Sequence, residues 1–95
     1  MLDTLKKEDF SSLEPQALAI EFQGQRIALS VTELRDLPPI SPRQTPFAII
    51  LQGPPNPLLP QGVYALQHPQ HGQLDLFMVP ISRGAAHAQY EVIFN

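Results

Sequence analysis

Three histidines are the residues best suited to chemistry in this 95-residue chain. His68 and His71 bracket the sequence His-Pro-Gln-His, and Asp75 follows four residues later. Because neutral imidazole and carboxylate groups bind zinc or nickel, these three residues form a candidate ligand or metal site. The alternative, which we favour, is that both histidines are ordinary exposed residues of a turn.

The third histidine, His87, lies in a later loop. A predicted strand over residues 73–81 separates it from the other two, and such a strand is about 25–30 Å long at ~3.3 Å per residue. We therefore expect His87 to lie too far away to share a metal ion with them.

Acidic residues offer a second possible chemistry. Asp75 and Glu91 fall in strands that are expected to be neighbours, and their apolar flanks could raise the pKa of one carboxyl group enough for acid–base work. Such residues more often lie on the solvent face of a strand, which is the interpretation that we favour. The other acidic candidates, Glu21, Glu33 and Asp36, are scattered over different strands and loops.

Other catalytic patterns are absent from the sequence. It has no cysteine, no G-x-S-x-G nucleophile motif and no glycine-rich phosphate loop. We therefore expect neither enzymatic activity nor a cofactor.

The composition is that of one small folded domain spanning residues 1–95. Hydrophobic residues make up 43% and charged residues 16%, which argues against disorder. The net charge of −3 and six scattered Lys and Arg residues argue against nucleic acid. No apolar run approaches the ~20 residues of a membrane helix, and no signal-peptide core is present. We expect a cytoplasmic protein without a membrane partner, or one that is exported by a non-standard route.

Proline, glycine and alternating apolar residues predict the elements that would position these side chains. Residues 3–12 predict a short helix, with Asp3 or Thr4 as its cap and Pro15 beyond its end. Residues 18–31 predict a hairpin around Gln23-Gly24, because a two-residue loop there pairs apolar residues with apolar ones. Residues 32–46 contain four prolines and look irregular.

Four more strands are predicted after that segment. The sequence therefore predicts a mainly β fold, a small antiparallel meander of about six strands with a short N-terminal helix, curled into a barrel or a sandwich. The four strands cover residues 47–52, 63–68, 73–81 and 89–95.

The strand over 73–81 is apolar on both faces, since Phe77, Val79 and Ile81 alternate with another apolar set. One face must contact the core, and the other needs a second cover from the helix, from the proline-rich loop over 53–62 or from another subunit. The residues that we expect to form an interface are Leu74, Leu76 and Met78 of this strand and Leu58 and Leu59 of the loop.

The second half of the chain carries an ordered series of short motifs. They are FAIILQGP (47–54), LPQGVYALQHPQHGQLDLFMVPI (59–81) and YEVIFN (90–95). The series resembles an uncharacterised bacterial family of small domains of unknown function, and residues 1–46 match it more loosely. The resemblance implies no catalytic residue. It implies an association with phage-tail-collar-like proteins, and hence a structural or assembly partner.

Our leading hypothesis is a non-enzymatic structural or protein–protein interaction module. It would act through self-association or a protein partner, and would assist the assembly of a tail-fibre-like or filament protein. One alternative is a small-ligand-binding β-barrel in which Tyr64, His68 and Asp75 are the polar residues that bind the ligand. The other is a metal-dependent enzyme of unknown substrate that uses His68, His71 and Asp75.

Overall fold

The computed structural model describes residues 5–38 and 46–94. Within these residues the chain forms the predicted short helix and six strands, although the helix spans only Glu8–Ser11 and residues 5–7 of the predicted range 3–12 are not helical. The proposed helix cap, Asp3 or Thr4, and the last predicted strand residue, Asn95, lie outside the described residues. The elements are α1 (Glu8–Ser11), β1 (Leu18–Phe22), β2 (Gln25–Asp36), β3 (Phe47–Gly53), β4 (Gly62–His68), β5 (Gly72–Arg83) and β6 (Ala88–Phe94).

The six strands close into an antiparallel barrel, with the order β1-β2-β3-β6-β5-β4. The predicted mainly β fold is confirmed, and of its two architectures the barrel is the one observed. The chain is not one continuous meander. Two three-stranded meanders, β1-β2-β3 and β4-β5-β6, join through β3 with β6 and through β1 with β4. The β1–β4 junction has a single ladder position, Ala19 opposite Gln67.

The β1–β2 hairpin has the predicted two-residue loop. Ile20 lies opposite Ile27, and Glu21 lies opposite Arg26. Gln23 and Gly24 both have positive φ, 52° and 79°, which is the backbone of a type I′ turn. This hairpin therefore aligns the apolar residues of both strands on the inner face of the barrel.

The second strand is longer than predicted. Residues 32–36, which we expected to be irregular, continue β2 and pair with β3 as far as Asp36 opposite Phe47. The register shifts between Val31 and Glu33. Such a bulge breaks the two-residue alternation by which a strand is recognised in a sequence.

Side chains fill the barrel. Large apolar residues from all six strands are buried there, and Phe10 and Leu5 add to the core from the N-terminal segment. Phe10 packs at one end of the barrel, with its ring centroid 5.5 Å from that of Phe94 and 6.2 Å from that of Phe47. The buried strand residues include Leu18, Ile20, Leu29, Ile49, Leu51, Leu66, Leu74, Tyr90 and Val92.

The face of β5 that we expected to form an interface is the face that lies in the core. Leu74, Leu76 and Met78 are 1%, 3% and 0% exposed, so they belong to the core and cannot form an interface. Phe77 on the strand's outer side is exposed, and so is Ile81, which lies at the register shift between Pro80 and Ser82. Both rows are apolar, so the alternation alone does not show which of them faces the barrel axis.

Of the two leucines in the proline-rich loop, one is anchored in the core and the other is not. Leu59 is fully buried, and its N–H donates a 3.0 Å hydrogen bond to Oη of buried Tyr90. Leu59 is therefore another core residue rather than an interface residue. Leu58 remains exposed.

Candidate functional site

His68 is a buried structural residue. It is 4% exposed, and its Nδ1 accepts hydrogen bonds from the backbone N–H groups of Gln70 (3.1 Å) and His71 (3.2 Å). Its Nε2 therefore carries the proton and donates to the carbonyl oxygen of Asp9, 2.8 Å away. The ring also meets Phe10 edge to face at 5.3 Å. Both nitrogens are occupied, so His68 ties the β4–β5 turn to α1 instead of offering a lone pair to a metal ion.

His71 pairs with a residue that the sequence analysis did not single out. Its Nε2 lies 3.2 Å from Oδ1 of Asp9, and the backbone N–H of Lys6 donates to Oδ2 of Asp9 at 2.8 Å. The hydrogen bond from Lys6 is the main cause of a lowered Asp9 pKa, to which the bond with His71 adds. No sequence motif could indicate this contact, because the two residues belong to distant parts of the chain.

Asp75 does not join the two histidines. It lies opposite Ala65 on the outer face of β5, whereas buried His68 lies on the inner side of β4. One carboxylate oxygen of Asp75 accepts a 3.1 Å hydrogen bond from the side chain of Gln73. Among residues 5–38 and 46–94 no group of three or more His, Asp or Glu side chains could hold a metal ion.

The three polar residues that we expected to bind a ligand inside the barrel, Tyr64, His68 and Asp75, do not point into a common site either. The hydroxyl of Tyr64 donates to the carbonyl oxygen of Pro60, and burial raises the pKa of Tyr64. With Asp75 outside the barrel and His68 engaged with α1, the three residues surround no common cavity.

Asp75 and Glu91 are not a catalytic pair. Glu91 lies opposite Val79, four residues along β5 from Asp75, which is about 13 Å at ~3.3 Å per residue. Oε2 of Glu91 lies 3.7 Å from Nη1 of Arg35. Glu91 is thus part of a surface ion-pair group on the outer face.

An apolar stripe crosses the outer face of the barrel. We use this name for Val63 of β4, Phe77 of β5 and Ile93 of β6, which are 68%, 51% and 51% exposed. Val63 lies directly opposite Phe77, and Ile93 lies opposite buried Ala48 of β3. Single exposed apolar residues are ordinary, whereas a row of large ones on adjacent strands makes this face a candidate contact surface.

Mostly acidic residues border the apolar stripe. Asp75 precedes Phe77 on the same face, and Glu91 and Glu33 lie on either side of Ile50 in the ladders. Arg35 hydrogen bonds to Glu33, which lowers the pKa of Glu33. Three carboxylates and one guanidinium thus give the border a net negative charge.

The sequence indicated that Phe77 lies on one of the two apolar faces of its strand, but Val63 and Ile93 were not predicted to belong to a surface. A usable signal existed for Val63, because Tyr64 and Leu66 of the same strand point inward and position 63 must then point outward. Ile93 sits at the corresponding alternate position of β6, between buried Val92 and Phe94.

Comparisons with known proteins give one informative result. Neither the curated proteins nor the solved structures contain a significant match to this chain. In the described residues no helix has the length and hydropathy needed to cross a membrane. The sequence does match, over residues 5–94, the family described as Domain of unknown function (DUF6916). The match spans the whole barrel with α1, and the chain belongs to this family.

Proposed function

We propose that this chain is a cytoplasmic, non-enzymatic protein–protein interaction module that binds its partner through the apolar stripe. The observation that carries the proposal is the exposure of large apolar side chains on adjacent strands. Val63 and Phe77 lie directly opposite each other, and Ile93 is exposed on the neighbouring strand β6. Burying these side chains against a partner would release their apolar surface from water, which is the main driving force of protein association.

The charges around the apolar stripe favour a partner of a different kind over a second copy. Two identical stripes placed face to face would bring Asp75, Glu91 and Glu33 close to the same carboxylates of the other molecule. A partner with an apolar surface bordered by Lys or Arg would instead be complementary. In line with the resemblance noted above, we propose a subunit of a filament or tail-like assembly as that partner.

Site-specific photocrosslinking in the source cells tests this proposal. The substitution Phe77→p-benzoylphenylalanine places the crosslinker in the apolar stripe, and Gln67→p-benzoylphenylalanine places it at an exposed position of β4 outside the stripe. We expect one dominant adduct at position 77 that is absent at position 67 and is lost when Ile93→Ser is added. Identical adducts at both positions, or none at position 77, would contradict the proposal.

Light scattering at several concentrations separates the two kinds of partner. We expect the mass of one chain throughout, since the acidic border opposes self-association. A mass that rises with concentration in the wild type, but not in Phe77→Ser, would make the partner a second copy of this chain.

A further inference from the structure

Beyond the apolar stripe, β2 leaves part of one edge unpaired. The β2–β3 ladder runs only as far as Ser30 opposite Gln52, and β3 ends at Gly53. The next residues are Pro54 and Pro55, which have no N–H to donate. β2 nevertheless continues back to Gln25, and its other edge is paired with β1 along that whole length.

The unpaired main-chain groups of β2 point toward β3. The carbonyl oxygen of Ala28 lies only 3.7 Å from the place that a Cβ on Gly53 would occupy. Residues two apart in a strand direct their N–H and C=O groups to the same edge, so those of Arg26 point the same way. In the described chain no backbone hydrogen bond joins residues 54–57 to β2. Two positions of the ladder thus present free donors and acceptors.

A cleft of about 500 Å³ lies along this edge. The proline segment, which we define as residues 54–57, and His87 of the β5–β6 loop form it together with residues 25–28 of β2. Among the described residues, Gln16, Gln25, Gln52 and Asn56, which all carry amide side chains, line it as well.

The cleft is cationic although the chain is acidic overall. Arg26 is among the described residues that line it, and none of those residues is Asp or Glu. Arg83 adds positive charge at the border, where its guanidinium donates to Oδ1 of Asn56. Arg26 also lines a second groove, between β1 and β4, together with Glu21, the residue opposite it in the hairpin.

We propose that this cleft binds an extended acidic peptide segment of another protein, which adds a strand to the free edge of β2 and places a carboxylate on Arg26. Free edge groups supply main-chain hydrogen bonds to such a segment, and side chains beside the edge select its sequence. Guanidinium and carboxylate form the strong, charge-assisted pair.

Selection from a random peptide library tests the proposal and does not require the partner to be identified first. Immobilised wild-type protein is the bait, and the selected peptides are then titrated against two variants. Arg26→Gln removes the cation. Ala28→Pro removes one free N–H and places the proline ring at the free edge of β2. It breaks no hydrogen bond to β1, because the Ala28 N–H faces away from β1.

The selected peptides should share an Asp or Glu flanked by β-branched residues. We expect each variant to bind them at least about tenfold more weakly, as loss of one charge-assisted bond or of the edge pairing implies. Phe77→Ser and Arg35→Gln, which alter only the apolar stripe and its border, should bind them like the wild type. This control keeps the peptide cleft separate from the proposed function.

Several results would overturn the proposal. Enrichment of neutral or basic peptides would remove the charge argument, and equal binding by Arg26→Gln and Ala28→Pro would place the peptides elsewhere. Displacement by sodium acetate alone would reduce the cleft to a small-anion site. Failure to enrich any peptide above bait-free beads also counts against it. If Ala28→Pro does not fold by circular dichroism, Arg26→Gln carries the comparison.

Discussion

The imidazole of His68 uses both nitrogens to join the β4–β5 turn to the segment around α1. Two backbone N–H groups donate to one nitrogen, and the other donates to the Asp9 carbonyl oxygen. Few other side chains can accept and donate at opposite ends of one rigid ring while also packing against Phe10. This combination explains why a histidine is buried at this turn although the turn does not form a metal site.

Replacing this ring by an apolar one should be costly. We expect His68→Leu to lower the free energy of unfolding by about 2–4 kcal/mol, because it leaves two N–H groups and one carbonyl without their partner. Urea unfolding followed by circular dichroism measures the change. His87→Leu, which alters an exposed histidine, should stay within about 0.5 kcal/mol of the wild type. Equal effects of the two substitutions would contradict the structural role of His68.

The carboxylate of Asp9 predicts how stability depends on pH. Its pKa is lowered in the folded state, chiefly by the hydrogen bond from the Lys6 N–H. A lowered pKa stabilises the fold above the unfolded-state pKa of about 3.9, and this stabilisation is lost as the pH falls through the folded-state pKa.

Asp9→Asn should therefore show a shallower loss of stability between about pH 5 and pH 2 than the wild type. Urea midpoints measured across that range give the slope. His71→Asn, which removes only the smaller contribution, should fall between the two. A slope in Asp9→Asn equal to that of the wild type would show that this carboxylate is not linked to folding.

At the scale of single elements, the hairpin was predictable from sequence and the faces of β5 were not. A two-residue loop at Gln23-Gly24 is the choice that pairs apolar with apolar residues and Glu21 with Arg26, so register follows from local pairing alone. In β5, Leu76 and Phe77 are equally apolar neighbours. Their separation into core and surface depends on how the whole barrel closes.

Gly53 marks the place where β3 leaves the barrel, and it is packed closely. A Cβ at this position would lie 2.7 Å from Cδ2 of buried Leu29. We expect Gly53→Ala to cost about 1–3 kcal/mol of unfolding free energy through overpacking.

The matched control is Gly62→Ala, since a Cβ at Gly62 would meet no atom within 4 Å. It should change the stability by no more than about 0.5 kcal/mol. Thermal or urea unfolding of the two variants measures the difference. A similar loss in both variants would contradict the overpacking expected at Gly53.

For the whole molecule, fold class followed from composition and alternation, but strand order did not. The pairs β3–β6 and β1–β4 join residues that are far apart in the chain, and neither leaves a local signal. The same is true of both proposed binding surfaces. The apolar stripe needs three strands brought together, and the peptide cleft needs β2, the proline segment and His87.

The position of β3 in the barrel also matters while the protein is being made. Phe47–Leu51 is an uninterrupted apolar run whose five residues are all buried in the finished barrel. One edge of this strand pairs with β2, but the other waits for β6, the last of the six described strands. Because a nascent chain emerges from its N-terminus, the ribosome releases β3 well before its second neighbour exists. During that interval the open edge can pair with another nascent chain, so slower translation of residues 54–94 should lower the yield of soluble protein.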